Sequence, residues 1–70
     1  MLSTEEQAIL DIAGAQWRQA GHQAAAISER LGMTPTRYYQ RLNHLLDRED
    51  ALVHDPILVH RLRRLRTRHH

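Results

Sequence analysis

Five arginines fall within the last fifteen residues with no acid among them: Arg61, Arg63, Arg64, Arg66 and Arg68. A guanidinium group binds phosphate or carboxylate through planar, paired hydrogen bonds. Such a stretch is built for a polyanion or an acidic protein surface. A second polar set lies upstream: Thr34, Thr36, Arg37, Tyr39, Gln40, Asn43 and His44. Gln and Asn can pair bidentately with adenine edges, and Arg with guanine. Hydroxyls and free amides at a helix N-terminus, here Thr34 and Thr36, suit a phosphate. The two sets together point to double-stranded DNA, with Arg61, Arg64 and Arg68 as candidate backbone contacts.

Other chemistries find less support. Asp47, Glu49 and Asp50 cluster, but solvated surface charge explains them, and there is no Gly-rich phosphate loop. No enzyme and no cofactor are expected. The six His include no His-x-x-x-His pair; His54 and His60 straddle Pro56, and His69-His70 end the chain. With no Cys to assist, no metal site is expected.

Composition sets the scale of the object. The chain has 70 residues, 41% apolar and 26% charged, which fits one small folded domain over residues 1–70. A chain this short buries about 60% of its unfolded surface. It has no Phe and one Trp, so the core should be aliphatic around Trp17. Its longest apolar runs are about four residues, such as Ala24-Ala25-Ala26-Ile27, which argues against a membrane span or signal peptide. A cytoplasmic, nucleoid-associated protein with no membrane partner is the expectation. All ten basic residues are Arg, a usage that genomic base composition explains as well as recognition does. Residues 1–55 carry a net charge of −3 and residues 56–70 carry +5. The body is mildly acidic and the arm is cationic.

The elements that must hold these residues are helices. Ser3 and Glu6 form a capping box before a first helix that runs to Ala20, with Ile9, Ile12, Ala13 and Trp17 at helical spacing. Gly14 inside it fits a close helix approach, and Gly21 a stop. A second helix spans Gln23 to Leu31, ended by Gly32. Thr34 and Pro35 cap and open a third helix, about 35–48, with Tyr38, Leu42 and Leu45 inward. The opposite face then presents Thr36, Gln40, Asn43 and Asp47. Residues 49–54 read as a linker with room for one turn. Asp55-Pro56 opens a fourth, Arg-rich helix, about 56–68, with Leu58, Leu62 and Leu65 as its apolar stripe. The whole is an all-α, compact four-helix domain containing a helix-turn-helix and no wing. Tyr38 and Trp17 belong in its core and Tyr39 at its rim, which opposes a single-stranded RNA reading.

Thr36-Arg37-Tyr38-Tyr39-Gln40, Leu42-Asn43, Asp47-Arg48, Asp55-Pro56 and Arg61-Leu62-Arg63-Arg64-Leu65-Arg66 resemble a family of small actinobacterial proteins of unassigned function. The RYYQ and RLRRLR segments carry most of that likeness, which covers nearly the whole chain. It departs at Arg18, where the family has a second Trp after Trp17, and at His70, where the family's basic tail runs on. The resemblance implies a helix-turn-helix and a DNA-binding role, with no known target and no catalytic residues.

The expected role is therefore transcription regulation or nucleoid association, with the third helix in the major groove. One reading helix covers few base pairs, so specificity calls for a homodimer or a protein partner. The rival is an adaptor that docks on the transcription machinery or another acidic protein.

Overall fold

The computed structural model describes residues 1–68, with Ala20, Thr67 and Arg68 described by their backbone alone. Its helices are α1 (Thr4–Gly14), α2 (Ala20–Leu31), α3 (Pro35–Leu45), α4 (Glu49–His54) and α5 (Pro56–Arg68). The described residues contain no strand, so the chain is all-α. The described residues form five helices where the sequence pattern predicts four.

α1 begins with the capping box. Ser3 Oγ accepts from the Glu6 N–H at 3.1 Å, and Glu6 Oε1 accepts from the Ser3 N–H at 2.9 Å. That backbone N–H holds the Glu6 carboxyl below its ordinary value, and Arg48 adds to the effect.

The first boundary is a correction: α1 stops at Gly14, not Ala20, because Ala15 turns to extended backbone (φ −76°, ψ 153°). Two contacts replace the missing turns. A Cβ on Gly14 would meet Leu58 of α5 at 3.3 Å, so the helix end lies close against α5. The Trp17 indole N–H donates to the Ile12 carbonyl at 2.9 Å, an acceptor at the helix end that otherwise takes only a shared bond from the Ala15 N–H at 3.3 Å. Trp17 is thus a half-buried loop residue folded back on the core. α2 starts at Ala20, and Gly21 lies in its first turn instead of ending α1.

The next junction follows the sequence signals. Gly32 takes the left-handed conformation (φ 65°, ψ 28°) and its N–H bonds to the Ser28 carbonyl at 3.0 Å. Thr34 Oγ1 accepts from the Arg37 N–H at 3.2 Å, and Pro35 occupies the first turn of α3. α3 closes at Leu45, short of Arg48, as the Asp47 and Arg48 N–H groups tighten onto the His44 and Leu45 carbonyls. Residues 49–54, expected as a linker, form α4. Glu49 and Asp50 in its first turn complement the helix dipole, and Ala51 is fully buried. Asp55 Oδ1 then accepts from the Leu58 N–H at 3.2 Å to open α5.

The core is aliphatic with Tyr38 at its centre. Ile9, Ile12, Ile27 and Val59 pack with Tyr38, and each is 1% exposed or less. The Tyr38 hydroxyl donates to the Ile9 carbonyl at 2.9 Å, tying α3 to α1. Burial pushes its phenol pKa well above the ordinary value, with Tyr39 adding to the shift.

Candidate nucleic-acid interface

α3 is turned by its buried stripe. Tyr38, Leu42 and Leu45 face inward, so the arc centred on Thr36, Gln40 and His44 faces outward. Thr36, Arg37 and Gln40 are exposed, and their side chains carry no hydrogen bond or ion pair among the described residues. They sit on the first turns of α3, directly after the three-residue turn 32–34. The Thr34 hydroxyl is engaged by its cap, and Pro35 has no N–H. The Thr36 N–H is left as the first-turn donor without a helical acceptor.

The remaining candidates stand differently. Tyr39 is 51% exposed at the rim, with its hydroxyl bonded to Gln23 Oε1 at 3.2 Å. His44 opens onto a hollow shared with Glu6, Arg41 and Arg48. Arg41 pairs with Glu5 at 2.9 Å, while Arg48 pairs with Glu6 and Asp50. These pairs fasten one flank of α3 to the start of α1 and to α4.

Asn43 is held by α5. Arg66 Nη1 donates to Asn43 Oδ1 at 2.8 Å, and Arg66 Nη2 donates to Asp47 Oδ1 at 3.0 Å. That hydrogen bond lowers the Asp47 carboxyl below its ordinary value, with the charges of Arg66, Arg63 and His44 adding to it. One turn back, Arg63 Nε donates to the Leu46 carbonyl, just past the end of α3. Arg63 and Arg66 are three residues apart on α5 and act on one target. The sequence offered the signal: a cation pair at helical spacing and an acid at a helix C-terminus. Reading the Arg run as one uniform cationic surface concealed it.

Between the two helices runs a groove of about 720 Å³, lined by Thr36, Gln40, Leu42 and Leu46 of α3 and its turn, and Leu62 and Leu65 of α5. Leu65 is 42% exposed there. Also on α5, Arg61 and Arg64 are exposed with no side-chain partner among the described residues. The Arg68 side chain lies outside the described residues, as do His69 and His70. Arg30, in the last turn of α2, is a further exposed cation that the sequence reading passed over. The described residues contain no cluster of metal-ligating side chains and no helix long and apolar enough to cross a membrane.

No curated protein and no solved structure matches the chain. A family profile matches residues 1–70 in full, and the chain belongs to the family described as Protein of unknown function (DUF3263).

Proposed function

We propose that this protein binds double-stranded DNA, with α2, the Gly32 turn and α3 acting as a helix-turn-helix and the first turns of α3 entering the major groove. One observation carries the reading: the Thr36, Arg37 and Gln40 side chains are exposed on α3 with no partner among the described residues. In this motif the N-terminal residues of the second helix meet the base edges. Gln40 reads adenine, Arg37 takes guanine or phosphate, and the Thr36 N–H and hydroxyl take a backbone phosphate. The outward cations of α5 add affinity that does not depend on sequence. The role that follows is transcription regulation or nucleoid association, in the cytoplasm.

Selection of bound duplexes from a random library tests the proposal. The expected result is enrichment of a short motif, with Gln40→Ala relaxing the preference at one position by about 1–3 kcal/mol. No duplex binding by a folded protein at low salt would overturn it.

A second reading rests on the open, mostly apolar groove between α3 and α5, a kind of surface that takes the apolar face of an amphipathic helix. On that reading the protein is an adaptor docking on an acidic partner such as the transcription machinery. Its complex would persist in excess unlabelled duplex.

A further inference from the structure

One polar contact across the seam between α2 and α3 leaves a donor unused. The Tyr39 hydroxyl of α3 donates to Gln23 Oε1, in the first turn of α2, at 3.2 Å. Gln23 is half-buried, and its Nε2 carries no hydrogen bond among the described residues. No buried side-chain nitrogen or oxygen of the described residues lacks a partner, so this unpaired Nε2 opens to solvent. The contact also fixes which end of the amide is free: the oxygen is on Tyr39, and the two N–H groups are not used.

Tyr39 places that donor. It lines the same groove as Thr36 and Gln40, three residues before it and the next residue after it. A helical side chain leans over the turn N-terminal to its own Cα, so the Tyr39 ring reaches back over the start of α3. Its hydroxyl, and the Gln23 amide bonded to it, therefore stand beside the turn that carries the exposed Thr36.

The free end of the amide selects its partner. Reading adenine takes the oxygen and the nitrogen of an amide together. The Gln23 oxygen is occupied, so this residue is not equipped to read a base in that way. A lone N–H donor suits a phosphate oxygen, which only accepts. Tyr39 is the converse case: its single proton is spent on Gln23, so its hydroxyl has none to offer a phosphate.

We propose that Gln23 Nε2 donates to a phosphate of the DNA backbone, and that Tyr39 is the positioning residue that turns the amide toward it. This contact rests on the DNA-binding reading, and it brings α2 into a surface otherwise built from α3 and α5.

Fluorescence anisotropy of the full chain on a duplex enriched from the random library, and on a random duplex, tests it. Gln23→Met keeps the length and neutrality of the side chain and its helix propensity, and a circular dichroism melt verifies the fold. It should weaken binding to both duplexes by about tenfold, as loss of one hydrogen bond to a charged group does. Tyr39→Phe should weaken binding by about threefold, because the amide is then no longer held. In the Gln23→Met background Tyr39→Phe should add no further loss, which a merely structural role for Tyr39 would not produce. Replacing the phosphates of the enriched duplex one at a time by methylphosphonate should reveal one position that weakens the wild type and leaves Gln23→Met unaffected. A folded Gln23→Met protein that binds like the wild type, while Gln40→Ala still relaxes base preference, would overturn this inference and leave the DNA reading standing. Additive losses in the double variant would remove Tyr39 from its positioning role and overturn the pair. A wild type that binds no duplex at low salt would overturn both the DNA reading and this contact.

Discussion

At the N-terminal end of α3, the Thr36, Arg37 and Gln40 side chains face solvent with no partner among the described residues; at its C-terminal end, Asn43, the Leu46 carbonyl and Asp47 are bound by two arginines of α5. The residue types at the two ends are similar. What separates them is the path of α5, which packs Leu58 and Val59 into the core and carries Arg63 and Arg66 over the end of α3. Helix C-termini attract cations, and Asp47 strengthens the attraction. A polar face on a helix is therefore not one surface. Part of it is free, and part is engaged by a neighbouring helix.

The comparison depends first on the orientation of α3, so removing its buried stripe should have the largest effect. Leu42→Ala, at a site 8% exposed, should cost about 2–5 kcal/mol of stability, read from a denaturant titration. That is a large fraction of what a domain of this size possesses. An unchanged midpoint would mean that α3 is turned the other way.

The turn comes next. Gly32 sits at φ 65°, where a Cβ costs about 1–2 kcal/mol. Open space surrounds the position where that Cβ would be, so the penalty is conformational and not steric. Gly32→Ala should lower stability by that amount, and Gly32→Asn by less, since Asn tolerates the left-handed region better.

A smaller effect should follow acidification. The Glu6, Asp47 and Asp50 carboxyls are all held below their ordinary values in the folded chain. Depressed folded values contribute stability that is complete above the unfolded pKa, about 4, and is lost as pH falls through the folded values. The melting temperature should therefore be flat above about pH 5 and decline below about pH 4. Arg66→Gln should leave the neutral melt nearly unchanged, because the pair is solvent-exposed. In that variant the Asp47 carboxyl should titrate at higher pH in an NMR titration. No movement at Asp47 would show that the Arg66 contact is absent in solution.

Local signals were legible in the sequence wherever one residue decides the geometry. Ser3 with Glu6, Gly32, Thr34 with Pro35, and Asp55 with Pro56 each act through their own backbone or nearest neighbours, and each stands where its type predicts. What sequence could not supply was tertiary. Ile9, Ile12, Ala13 and Trp17 keep helical spacing, yet Trp17 leaves the helix because its indole finds the Ile12 carbonyl and Gly14 finds Leu58. Residues 49–54 lack an apolar stripe long enough to announce a helix, and α4 forms because Ala51 is buried and two acids open its first turn. Asn43 reads in the sequence as a base-reading amide, and its engagement by Arg66 crosses 23 residues of chain. The outward face of α3 was legible, because burial of Tyr38 and Leu42 fixes it by periodicity alone.

The central claim is a division of the arginines: Arg63 and Arg66 hold the end of α3, while Arg37 and Arg64 remain open to phosphate. A salt titration of duplex binding separates the pairs most directly. Each phosphate contact adds about 0.9 to the slope of log affinity against log salt. In Arg37→Gln/Arg64→Gln the slope should shrink by about 2 units with the thermal melt unchanged. In Arg63→Gln/Arg66→Gln the slope should stay near the wild-type value. The reverse pattern, with the slope lost on removing Arg63 and Arg66 and kept without Arg37 and Arg64, would contradict the account.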